Sequence, residues 1–170
     1  MLASMKTGSG DSFCILFCPA GAVIKGDAHE THFEDFSVET GKPWPGVLDT
    51  VPKDFTYFLD EPAFSVQEST FCIWRKKMDH AWNIGEIKFP DEDDPDGSAD
   101  LLAILDGDPK GYKNWGEEYY DQSIPISCVK HIYEHKPITP EVVKRLNPNI
   151  EVADLADDMS EIGYPQMLNG

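Results

Sequence analysis

Two histidines four residues apart, His131 and His135, with Glu134 between them, have the spacing best suited to chemistry in this chain. Residues at i and i+4 share a helix face. Two imidazoles so placed would grip a divalent metal, leaving Glu134 to act as general base on a bound water. A second pair, His29 and His32, lies in a polar stretch with Glu30, Glu34 and Asp35 close by. Brought against the first pair, it would complete a site of three or four ligands. One reading of the chain is therefore a metal-dependent hydrolase built on His131, His135 and the His29/His32 loop. The plainer reading is that His131 and His135 flank a helix C-terminus, where the helix dipole favours positive charge.

The run His131-Ile132-Tyr133-Glu134-His135 resembles the H-x-x-E-H element of the inverzincin metalloproteases. That resemblance implies a third ligand, a glutamate on a separate downstream helix, and a chain far longer than 170 residues. Gly10-Asp11-Ser12 resembles the nucleophile block of the GDS-type esterases, but a polar segment replaces the strand before it and no D-x-x-H follows. The nucleotide-binding and hydrolase signatures G-x-G-x-x-G, G-x-x-x-x-G-K and G-x-S-x-G are missing.

Carboxylates dominate the remaining candidates. Asp91 to Asp108 holds eight acids and no base. Glu92 to Ala103 aligns loosely with a calcium loop, with Gly97 at its sixth position, but Ala103 stands where a bidentate glutamate belongs. The competing role for these acids is capping the helix that follows. Further on, Trp115, Glu117, Glu118, Tyr119, Tyr120 and Asp121 bring aromatics and acids together. Helical spacing turns Trp115 and Tyr119 inward, leaving Tyr120 and the carboxylates outside. Aromatic anchors ringed by charge suit a basic protein partner. The binding candidates are thus Glu117, Glu118, Tyr120 and Asp121, then Asp93, Asp94 and Asp96.

Composition narrows the classes. The net charge is −17, from 31 acids and 14 bases. Residues 1–90 carry 13 acids and 8 bases, whereas 91–170 carry 18 and 6. Such a surface repels phosphate backbones and anionic headgroups, which argues against nucleic acid and membranes as partners. No apolar run reaches membrane-spanning length, and Met1 to Gly10 lacks the apolar core of a signal peptide. Four cysteines without a C-x-x-C pair, three of them in apolar runs, read as buried thiols in a cytoplasmic protein. In composition alone the chain resembles small acidic immunity or inhibitor proteins, which implies a basic partner. The leading reading is a non-enzymatic acidic protein-interaction module, of immunity, inhibitor or adaptor kind, without a cofactor. A structural or homo-oligomeric protein is a third.

The elements that must position these residues change character along the chain. Residues 1–10 read as a flexible tail and 166–170 as another, around a single domain over 11–165. Ser12–Cys18, apolar on both faces, predicts a strand, and Ala22–Lys25 its hairpin partner. A short strand is expected near Phe36–Val38, two short helical segments around Pro52, a strand over Ser69–Lys77, and one over Glu86–Phe89 pairing with it. From 98 to 163 the signals are helical: Ser98–Leu105, a helix opened by Asp108-Pro109, one opened by Pro125, one opened by Thr139-Pro140, and a last stripe from Val152 to Ile162. The prediction is an α+β fold: a small, mostly antiparallel sheet from the N-terminal half, packed with about five short helices from the C-terminal half.

Overall fold

In a computed structural model, residues 1–165 are described; the tail expected at 166–170 lies outside them. The fold is α+β, with five antiparallel strands in the N-terminal half and a C-terminal half that is helical. The chain gathers into two compact units, Met1–Leu101 and Leu102 onward. Among the described residues no helix is long and apolar enough to cross a membrane.

The first unit is a sheet in the order β1 (Leu2–Lys6), β2 (Ser12–Cys18), β3 (Gly21–Asp27), β4 (Phe71–Lys76) and β5 (Asn83–Ile84). The hairpin of β2 and β3 and the strand after Ser69 stand where the sequence places them. The N-terminal tail does not: Leu2–Lys6 pairs with β2 from Leu2 opposite Leu16 to Lys6 opposite Ser12. Asp11 makes that possible, because its Oδ2 accepts from the Thr7 and Ser9 hydroxyls at 2.9 and 2.8 Å and closes the turn. The strand is almost wholly exposed, so it has no apolar alternation to betray it. Where Glu86–Phe89 is expected to pair with β4, the two-residue β5 does so instead, Ile84 opposite Ile73. Asp79 draws the turn tight by accepting from Lys76 N and Asn83 Nδ2 at 2.9 and 3.0 Å.

Helices cover one face of this sheet. The segment expected as a strand near Phe36–Val38 lies in α1 (His32–Thr40). Local chemistry decides it: the Thr31 side chain accepts from Glu34 N, and Gly41 ends the helix in the left-handed region. Of the two helical segments expected around Pro52, only α2 (Lys53–Leu59) forms. Before Pro52 the chain runs through consecutive turns, with Gly46 and Thr50 at positive φ. Val23, Cys72 and Trp74 from the sheet pack with Phe33, Val47, Phe55, Phe58 and Leu59 into the core.

Register places polar rows beside that core. Ser4, Cys14, Lys25 and Cys72 are cross-strand neighbours, and Lys6, Ser12 and Asp27 form the next row on the same face. Lys25 is only 6% exposed. Burial pushes the Asp27 carboxyl up to about 6, with Glu68 and Glu34 adding repulsion. A carboxyl pKa raised in the folded state means the fold favours the protonated form, so stability falls as pH rises from the ordinary value of 3.8 towards 6. Asp27→Asn is therefore expected to melt a few degrees above the wild type at pH 7.5 and level with it near pH 4. Thermal unfolding at the two pH values measures this. A variant that melts lower at pH 7.5 would show that the carboxylate is stabilising.

The second unit holds α4 (Pro109–Tyr120), α5 (Ile126–Tyr133), α6 (Pro140–Leu146) and α7 (Ala156–Glu161). Its boundaries follow the predicted signals: Asp108 and Thr139 accept from Lys110 N and Val142 N at the starts of α4 and α6. The Ser98–Leu105 helix divides into α3 (Ser98–Leu101), at the end of the first unit, and a 3-10 turn over Ala103–Leu105 in the second. The last stripe also divides, a 3-10 turn over Val152–Leu155 preceding α7. Met159 is buried, while Ala156 and Ile162 are exposed.

Candidate functional site

The histidine pairs do not form the face that their spacing offers. α5 ends at Tyr133, and His135 adopts positive φ (51°) beyond the helix. The i, i+4 relation therefore lapses between His131 and His135. His131 Nε2 meets the Pro137 carbonyl oxygen at 2.8 Å, and His135 stacks on Tyr164 with ring centroids 5.9 Å apart. Glu134 is exposed and pairs with Lys136, whose hydrogen bond and charge hold its carboxyl below the ordinary range. A general base needs the opposite adjustment. In the first unit His29 Nδ1 lies 2.9 Å from Glu34 Oε1, and His32 Nδ1 lies 3.2 Å from Glu92 Oε1. Among the described residues no three His, Cys, Asp or Glu side chains are grouped to hold a metal ion.

The acidic loop after Pro90 belongs to the sheet unit and acts as a capping device. Asp94 accepts from Ala99 N and Asp100 N at 3.0 and 2.9 Å, and Asp96 Oδ1 accepts from Ser98 N at 3.0 Å. The loop is anchored from below, since the buried Thr70 hydroxyl donates to the Asp96 carbonyl at 2.8 Å. Phe33 N donates to the Pro95 carbonyl at 3.1 Å. Asp96 is buried, and desolvation raises its pKa. Asp93 alone of the three binding candidates here is fully on the surface. The charge is thus distributed differently from the composition break at residue 90. Residues 1–101 carry 19 acids against 8 bases, and 102–170 carry 12 against 6.

An apolar concave feature lies within the second unit. A cavity of about 430 Å³ is lined by Ile104, Leu105, Tyr112, Tyr120, Gln122, Ile124, Val129, Ile132, Tyr133 and Leu146. Its volume is in the range of sites that hold a small ligand or a partner's side chain, and its lining has the same character: apolar, with a few polar groups. Three helices, a 3-10 turn and the link between α4 and α5 supply the wall, and α4 can approach that link closely because Gly116 faces Ile124. A β-carbon on Gly116 would sit 2.8 Å from Ile124 Cδ1. Burial raises the pKa of Tyr112, with Tyr120 adding to it, and burial followed by Asp106, Tyr112 and Asp108 raises that of Tyr133. Both phenols stay neutral hydroxyls that can donate a hydrogen bond.

Beside this cavity is a shallow acidic depression lined by Glu117, Asp121, Gln122 and Ser123. Gln122 borders both. Glu117 is tied into the framework: its carboxylate pairs with Lys113 and accepts from Ile124 N at 2.9 Å, which hold its pKa low. Glu118 is exposed, and Asp121 ends α4 in the left-handed region with its side chain exposed. Tyr120, 54% exposed, stands edge-on to Trp115 and Tyr119. Tyr119 is exposed as well, against the expectation that it turns inward with Trp115. The sequence offers the acids and Tyr120 as candidates but gives no sign of the apolar wall, because Ile104, Ile124, Ile132 and Leu146 come from separate elements that only the fold assembles. The chain matches no protein-family model, no curated protein and no solved structure.

Proposed function

We propose that the chain is a protein-interaction module that binds a basic partner through the second unit. The supporting observation is the contiguity of an apolar cavity with an acidic depression across Gln122, with exposed Tyr120 on the cavity wall. An apolar side chain flanked by lysine or arginine fits such a surface: the cavity takes the anchor, and Glu118 and Asp121 meet the charge. The module acts by binding and not by turnover. Carboxylates at the rim chiefly accelerate encounter, so the association should weaken with salt.

A helical peptide of alternating leucine and lysine pairs is a suitable probe, with its glutamate counterpart as the control. Titrated into the isotope-labelled protein, the basic peptide is expected to shift the amides of Glu118, Tyr120, Asp121 and Gln122 and the methyls of Ile124 and Ile132. Tyr120→Ala should weaken binding by about 30-fold, the scale of an interface anchor. Glu118→Lys should slow association several-fold and flatten its salt dependence. Glu118 is the cleaner reversal, since altering Glu117 also removes the acceptor for Ile124 N. Shifts spread over the first unit, or equal binding of the acidic peptide, would refute this reading.

A further inference from the structure

A second cleft, of about 250 Å³, opens within the first unit between the polar rows of the sheet and the segment Ala63–Glu68. Its lining includes Ser4, Ser12, Cys14, Lys25, Asp27 and Glu68. The lysine is unusual for a strand position. It is 6% exposed, and its Nζ donates to the Phe64 carbonyl oxygen. Lys25 forms no ion pair among the described residues. Two residues along the same strand face, Asp27 has a buried Oδ1 without a hydrogen-bond partner. Buried polar atoms are nearly always satisfied, so the orphaned Asp27 oxygen, in a cleft that also holds a buried amine, points to a third group. Burial lowers the Lys25 pKa against the opposing pull of Cys14, Asp27, Glu68 and Cys72, which raises the fraction present as free amine.

We infer that this cleft captures a small hydroxy-aldehyde or hydroxy-ketone by forming an imine at Lys25, with Asp27 carrying the protons. The size suits a ligand smaller than most cofactors. The wall is rich in acceptors, three serine hydroxyls among them counting Ser65, which suits a ligand bearing hydroxyl donors. The surplus of acids in this unit disfavours an anionic carbonyl compound.

In the first step the Nζ lone pair forms the C–N bond while the carbonyl π pair moves to oxygen. The Asp27 carboxyl protonates that oxygen, and the resulting carboxylate takes a proton from nitrogen, giving a neutral carbinolamine. Asp27 then protonates the carbinol oxygen, which leaves as water while the nitrogen lone pair closes the C=N bond. The products are a protonated imine, one water and the Asp27 carboxylate. No oxidant or reductant takes part.

The proposal concerns residues of the first unit only and stands or falls apart from the docking surface of the second. The full chain incubated with glycolaldehyde and sodium cyanoborohydride, then digested and mapped by mass spectrometry, tests it. Lys25 is expected to be alkylated at least about tenfold faster than any of the other eleven lysines. Asp27→Asn should slow alkylation at Lys25 by about tenfold or more and leave the exposed lysines unchanged. Alkylation spread evenly over surface lysines, or Lys25 among the slowest, would overturn the site. A rate at Lys25 unaffected by Asp27→Asn would overturn the assigned proton carrier.

Discussion

Truncating Phe33 to alanine is expected to lower the unfolding free energy by about 3–5 kcal/mol, the range for a fully buried aromatic. Phe33 has no exposed surface. Its ring lies parallel to Trp44, with centroids 4.6 Å apart and planes 7° apart, and to Phe89 at 5.8 Å and 11°. The side chain thus joins α1 to two segments that have no regular structure of their own. The cavity left behind could not close without moving Trp44, which also meets Phe36 and His32 edge-on. Urea unfolding followed by tryptophan fluorescence reads the change, and native emission should shift as Trp44 loses its neighbour. A loss under about 1 kcal/mol would mean that this aromatic stack does not anchor the first unit.

Adding a single methyl group at Gly26 should destabilise the same unit by about 3 kcal/mol, at the upper end for overpacking. Gly26 lies opposite Phe71 in the β3–β4 register, and the Phe71 ring folds over it. A β-carbon there would fall 2.0 Å from Phe71 Cζ. Phe71 is 1% exposed, so its ring has no open space into which to retreat. The comparison is Gly8→Ala in the β1–β2 turn, where no atom lies within 4 Å of the added carbon. That variant should remain within about 0.5 kcal/mol of wild type. Equal melting temperatures for the two variants would contradict the packing described.

How much of this is legible in the sequence depends on the range of the force involved. The β2–β3 hairpin, β4, and the starts of α4 and α6 are visible because alternation, proline and capping residues act within a few positions. The same local rules account for α1, whose Thr31 and Gly41 are the signals to weigh above the β-leaning composition of Phe36–Val38. β1 has no such signal; its register comes from Asp11 closing a turn and from a neighbouring strand that must pair its backbone. His131 and His135 show the limit of spacing: five residues specify one helical face only while the helix lasts, and α5 stops two residues before His135.

By itself the sequence determined the α+β class, the surplus of carboxylates and most helix boundaries, since each follows from composition or from contacts between near neighbours. Only tertiary structure decided how far each carboxylate is buried. It buried Asp96 in a loop held by the Thr70 hydroxyl, and left Glu118 and Asp121 at the surface. It also assembled the apolar cavity beside Tyr120 and buried Lys25 near Asp27. Burial and hydrogen-bond partners set what a charged side chain can do, and burial depends on residues distant in the chain.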